Sequence, residues 1–308
     1  MNFRQTTLAS LATMLLIAGG TIAFVACSSD DDNSSNNNGS NTQQDAGGNP
    51  ETDSGNPSET TDSGGQEATA DSIGTVMITG STTKATETGM TNASITFYAD
   101  PVAGPSTGNL PLGCKTDEAP DGTGNTGPLP AQVSAGDITI NIGDNSGTLS
   151  WDDASNSYSR SLDAENNWIT GGDDVSVVAA AGGDTVPAFT ANLNAPHMPT
   201  FTSDLTTMAQ GADYTLTWDN GAASEQIQVM LLNTSGGTTT TVSCVFNSID
   251  GSGIIPKAQL TDLGAGDAVT FIATSTTATR APAGDNKVDV SVKTTYNDTA
   301  AIAPLPQE

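Results

Sequence analysis

The chain has 308 residues, 35 of them acidic and 8 basic, with a net charge of −27 and a single histidine. That balance excludes nucleic acid as a partner, because phosphate contact needs a basic footprint, and it disfavours anionic lipid headgroups. One histidine, His197, and two distant cysteines, Cys114 and Cys244, form no zinc-ligand pattern.

The amino terminus reads as a secretory signal over residues 1–26. Arg4 gives a positive start, and Leu8 to Val25 is a mostly apolar run without charge, interrupted by Thr13, Gly19, Gly20 and Thr21. The run falls short of the ~20 apolar residues of a spanning helix. It is followed by acids, not by a basic stop-transfer cluster.

The residues Phe24-Val25-Ala26-Cys27 resemble the bacterial lipobox, with Phe24 where leucine is commonest. The resemblance implies a diacylglyceryl group on the Cys27 sulfur, cleavage just before it, and acylation of the new amino group. Each buried methylene contributes ~0.8 kcal/mol, so one chain binds reversibly and two or three hold durably. The implied partner is therefore the membrane, through the lipid. Ser28 and Ser29 lack the aspartate that retains some lipoproteins at the inner membrane, and Asp30-Asp31-Asp32 is similar to acidic export signals of certain surface lipoproteins. Both point to the outer membrane and an outward orientation, with the periplasmic face as the other placement.

Residues 27–72 carry the lipidated cysteine and a spacer. From Ser28 to Ser72 there are ten acids, no Lys or Arg, no aromatic residue and no Leu, Ile, Val or Met. A segment with so little apolar surface cannot offset the entropy of ordering, which predicts a disordered tether. Its coil span would be about 35–40 Å, and its limit ~150 Å.

Beyond it the signals are those of strands. Apolar residues alternate at Val76 and Ile78, Ile95 and Phe97, Ile138-Ile140-Ile142, Leu149 and Trp151, Val175 and Val177, and Phe189-Ala191-Leu193. The pattern sharpens at Tyr214-Leu216-Trp218, Ile227-Val229-Leu231, Val242-Cys244-Phe246, Val269-Phe271-Ala273 and Val288-Val290-Val292. Asp219-Asn220-Gly221 and Ser235-Gly236-Gly237 read as turns. The one helical stretch follows Pro256, from Lys257 to Leu263, closed by Gly264.

Many short strands with almost no helix predict an all-β fold, an antiparallel β-sandwich. The prolines of Ala195-Pro196-His197-Met198-Pro199 suggest a division into a first module, 73–195, and a second, 196–308. Tyr214-Thr215-Leu216-Thr217-Trp218 and the Leu-rich turn from Leu260 into Phe271 make the second resemble an immunoglobulin-like or fibronectin type III module. With Cys27 lipidated, Cys114 and Cys244 remain. An exported compartment permits a bridge between them, which would join the first module to the second. The other reading is a buried thiol at Cys244, on the parity of Val242 and Phe246, and a loop thiol at Cys114.

Catalytic patterns are weak. His197 is the only possible base of a Ser-His-Asp arrangement and lies in the proline-flanked connector. Gly104-Pro105-Ser106-Thr107-Gly108 spells a nucleophile elbow without the strand-to-helix setting that motif needs. Asp152-Asp153 and Asp173-Asp174 could serve glycoside hydrolysis if paired across a cleft, but adjacent acids more often mark turns. No cofactor is expected. Calcium is the metal that Asp121-Gly122-Thr123-Gly124-Asn125, Gly143-Asp144-Asn145-Ser146-Gly147 or Asp250-Gly251-Ser252-Gly253 could take, each equally compatible with a plain turn.

Among the aromatics, Tyr158 and Trp168 lie in an Asn-, Ser- and Asp-rich stretch that would suit a sugar-stacking platform, whereas Trp151 and Trp218 read as core. The favoured function is a non-catalytic surface module that binds an unknown glycan or protein, with the long loop Asp100 to Pro130 as its contact surface. The alternatives are a hydrolase or accessory subunit acting on glycans, and a structural envelope component.

Overall fold

The structure is a computed structural model and describes residues 71–84, 89–103, 109–118, 131–158, 161–163, 166–183 and 185–305. The signal, Cys27 and almost all of the spacer lie outside these residues. Backbone proximity divides the chain into Met1–Thr61, wholly outside them, and Asp62–Glu308.

The chain enters through β1 (Asp71–Thr83), β2 (Gly89–Ala103) and β3 (Gly113–Glu118). There follow β4 (Ile138–Ile142), β5 (Asn145–Leu149), β6 (Trp151–Asp152), β7 (Ser157–Tyr158), β8 (Ser161–Asp163), β9 (Asp174–Ala179) and β10 (Phe189–Asn194). Past the connector come β11 (Thr200–Phe201), β12 (Met208–Ala209), β13 (Tyr214–Asp219), β14 (Gln226–Ser235), β15 (Thr238–Asn247) and β16 (Ser252–Ile255). The helix α1 (Lys257–Leu263) then leads into the long hairpin of β17 (Gly266–Ala283) and β18 (Asn286–Ala303). The fold is all-β, built of packed sheets and not a barrel.

Nine strands form one large sheet in the order β3-β15-β14-β17-β18-β1-β2-β8, with β12 beside the end of β18. Three of them lie before the 195–199 connector in β1–β3, a fourth is β8, and the rest follow it, so one hydrogen-bonded sheet spans both sides of that point. A four-stranded sheet, β10-β9-β4-β5, and a three-stranded one, β11-β13-β16, complete the main layers.

Residue parity explains how the layers stack. In β18, Val288, Val290 and Val292 are fully buried, and in β17 so are Val269, Phe271, Ala273 and Ala283. Alternate residues of a strand face opposite sides, so all of these point to one face of the large sheet. The four-stranded sheet covers part of that face, meeting Val76, Ile78 and the Val288–Val292 end with Ile138, Ile140, Val175 and Val177. The three-stranded sheet and α1 cover another part, where Leu216, Trp218, Leu260 and Leu263 meet Val229, Leu231 and Phe271. Two hydrophobic cores thus share one floor, and the β17–β18 hairpin runs through both.

Two features depart from the antiparallel expectation. β1 runs parallel to β18 from Ser72/Lys287 to Thr83/Asn297, and β12 also meets β18 in parallel. Alternation has the same period in both pairings, so it could not distinguish them. The long loop expected over Asp100 to Pro130 is also interrupted, because Gly113–Glu118 forms β3 and pairs with β15. Elsewhere local signals operate as read: β14 turns into β15 through Gly236 and Gly237, whose φ of 61° and 87° suit a two-residue hairpin.

Candidate functional site

The sulfurs of Cys114 and Cys244 form a disulfide, with Cα atoms 4.0 Å apart. The two residues are register partners of β3 and β15. Cys244 is fully buried on the core face, and Cys114 packs against the same core from the edge strand.

The expected sugar platform is not assembled. Tyr158 is only 4% exposed, its ring meeting Trp151 and Phe97 at centroid distances of 5.3 and 6.1 Å. Its hydroxyl accepts from the Ala135 N–H at 2.7 Å and donates to the Gly136 carbonyl at 2.9 Å. Burial raises its pKa above the ordinary tyrosine value. Trp168 is half-buried, its indole N–H donating to Asp163 Oδ2 at 2.9 Å and its ring close to Gly147. Both residues face inward because the turns around them are polar while the rings are the apolar surface available to close the core.

Asp152 stands in one turn, whereas His197 packs its ring on Gly171 and Gly172, directly before Asp173 and Asp174. Asp152 caps the β6–β7 turn, accepting from the Ala154 N–H and the Ser155 hydroxyl at 2.9 and 2.7 Å. Those bonds lower its pKa, the Ser155 hydroxyl contributing most. Asp174 accepts from the Asn194 amide at 2.9 Å, and Asp173 receives the Thr170 N–H at 3.3 Å. His197 is held by Glu225, whose carboxylate accepts the His197 backbone N–H at 2.9 Å and lies 3.0 Å from Nδ1. Glu225 was not a sequence candidate; it enters through a contact 28 positions away, which no local pattern signals.

Two of the three turns considered for calcium lie among the described residues. Gly143, at φ 53°, and Asp144 link β4 to β5, and Gly251, at φ 67°, caps the short 3₁₀ turn of Ser248–Asp250 before β16. Among the described residues no group of three His, Cys, Asp or Glu side chains is arranged to hold a metal. Gly104 to Gly108 and Asp121 to Asn125 lie outside the described residues. Among those described, no helix is long and apolar enough to cross a membrane.

One extended surface was missed in the sequence. The outward face of the large sheet, opposite the two cores, has no described strand or helix over it, although the coil at Leu110 reaches its β14 end, where the Leu110 backbone is bonded to the Gln226 side chain. Along β1, β14, β17 and β18 its positions are chiefly Thr, Ser, Asn and Gln. The same parity places Lys287 and Lys293 of β18, Arg280 of β17 and Lys115 of β3 outward. These are four of the chain's eight basic residues. Among the described outward positions in regular register on those four strands, Asp289 is the one acid, and Arg280 Nε donates to its Oδ1 at 2.7 Å. Lys293 sits on a central strand between Thr79 of β1 and Thr276 of β17, its amine with no hydrogen bond or ion pair among the described residues. Burial lowers its pKa from the ordinary lysine value.

No protein-family model matches the chain, and no curated protein matches it.

Proposed function

We propose that the chain is a lipoprotein of the bacterial envelope, anchored at the outer membrane through acylated Cys27, whose β-rich ectodomain binds a ligand outside the cell and performs no catalysis. The observation that carries the anchor is the sequence Phe24-Val25-Ala26-Cys27 after an uncharged apolar run. A Ser-, Asn- and Asp-rich spacer then separates the lipid from the ectodomain. Loss of Arg4 with the signal would leave the mature chain one charge more negative, which favours solubility.

Two structural findings support this reading. The Cys114–Cys244 disulfide suits an oxidising, exported compartment. Asp152 and Asp153 stand in the β6–β7 turn, Asp173 and Asp174 at the start of β9, and His197 on Glu225. Asp173 lies against Gly143 at the β4–β5 turn while Asp152 follows β5 at the other end of that hairpin, so the two acid pairs do not face one another as glycoside hydrolysis requires.

The anchor is tested by metabolic labelling of the full chain with a fatty-acid probe. Label should enter the wild type and be lost from Cys27→Ala. Undiminished labelling of the variant would sink the proposal.

A further inference from the structure

The outward face of the large sheet combines three properties that are otherwise separate in this molecule. It is uncovered by any described strand or helix, it is lined by hydroxyl and amide side chains, and it gathers half of the basic residues of a chain with net charge −27. Among the described outward positions in regular register on β1, β14, β17 and β18 the one carboxylate is Asp289, which stands between Lys287 and Lys293 on β18 and is engaged by Arg280 through Oδ1, while Oδ2 has no hydrogen-bond partner. Among the described residues, Lys287 and Lys293 have neither an ion pair nor a hydrogen bond through their amines.

A cation on a central strand, half-buried among neutral hydroxyl groups, gains nothing for folding, because part of its hydration is removed without a compensating charge. An anion laid across the face would supply the missing partner. Lys287 and Lys293 stand six positions apart on β18, about 20 Å at the rise of a strand, so no single small anion reaches both. The ligand that fits is a chain of repeated charges. Between the lysines the face carries the hydroxyls of Ser291 and Thr75, which suit sugar hydroxyls, beside the Arg280–Asp289 pair and the apolar Met77 and Ala278, and an open sheet face accepts an extended polymer without a cleft. Two unpaired cations are too few for a nucleic acid site.

We propose that the outward face of the nine-stranded sheet binds an acidic polysaccharide, its carboxylates set against Lys287 and Lys293 and its hydroxyls against the threonines and serines beside them. The proposal rests on the reading of the ectodomain as a binding module and names its site and ligand class.

The test is binding of the full chain, purified in detergent, to polygalacturonate, with dextran and anionic phosphatidylglycerol vesicles in parallel. Polygalacturonate should bind, with affinity falling as salt is added. Lys293→Gln should weaken it about tenfold, the scale of one charge-assisted hydrogen bond, Lys293→Arg should retain it, and Lys257→Gln, on α1, should leave it unchanged. If Lys293→Gln fails to fold, Lys287→Gln at the exposed end of the same strand carries the comparison. A folded wild type that ignores polygalacturonate, or a Lys293→Gln variant that binds like wild type, overturns the proposal. So does binding to vesicles in place of the polymer. Binding to dextran or to whole cells that is indifferent to Lys287 and Lys293 would refute this site while leaving the binding-module reading intact; absence of binding to every glycan and cell type would refute both.

Discussion

At the scale of single residues, Trp218 shows how a polar atom is accommodated in the core beneath β13. It is 2% exposed, and its indole N–H donates to the Ser248 carbonyl at 2.7 Å. Its ring is flanked by Phe246 and Phe201, at centroid distances of 5.8 and 6.3 Å. Phe246 in turn lies on Gly253, where an added Cβ would come within 2.4 Å of its ring, so the glycine is needed for close approach and not for a turn. Trp218→Phe keeps an aromatic ring but strands a buried carbonyl and leaves a void. It should cost about 2–3 kcal/mol, seen as a lower urea midpoint at unchanged slope. An unchanged midpoint would show that Ser248 finds another donor at no cost.

At the scale of elements, what could be read from sequence and what could not divides along a physical line. The strands around Ile138-Ile140-Ile142, Tyr214-Leu216-Trp218 and Val288-Val290-Val292 were readable because alternation encodes one buried face directly. The helix from Lys257 to Leu263 was readable from Pro256 and Gly264 at its ends. β3 was not, because Gly113-Cys114-Lys115-Thr116 holds no apolar alternation; its place comes from pairing with β15 and from the disulfide. The middle of β17 was missed for a related reason, since its threonines carry strand propensity without a hydrophobic signal. The basic face was invisible because Lys115, Arg280, Lys287 and Lys293 are scattered in sequence and gathered only by register. The aromatic platform failed because composition around Tyr158 and Trp168 described the turns and not the rings.

The dependence of β3 on its staple gives an element-scale expectation. An edge strand with few buried side chains is held by its ladder on one side and by Cys114–Cys244, which closes a separation of 130 residues. In the chain-entropy account such a closure contributes about 5 kcal/mol. Replacing both cysteines with serine should therefore lower the thermal midpoint and strip amide-exchange protection from residues 113–118 ahead of the central strands. Equal protection of β3 and β14 in the variant would show that the ladder alone suffices.

At the scale of the whole molecule, the shared floor couples two cores through the β17–β18 hairpin, and tyrosines in both respond to alkali in the same direction. Burial is the first cause of a raised pKa at Tyr158 in one core and Tyr214 in the other. Tyr296, packed on Phe271 and Phe201, is pushed up to about 12, by burial first and then by its bond to the Asp298 carboxylate at 3.1 Å. For each, the folded chain holds the proton after the unfolded chain has released it. Stability from these groups is therefore complete below pH 10.0, the ordinary tyrosine value, and is lost as pH rises through the folded values. Lys293 acts in the opposite sense: its lowered pKa means that stability rises with pH below the ordinary 10.5. One lysine opposes three tyrosines, so the net trend is a fall from about pH 10 toward 12. Denaturation midpoints measured at intervals across that range should decline as one cooperative transition, because neither core can open without disturbing the hairpin common to both. Tyr296→Phe should flatten the upper part of the decline, and tyrosinate absorbance of the wild type should retain one late-titrating group that the variant lacks. A midpoint that stays level to pH 12, or a variant that declines as steeply as wild type, would refute the assignment.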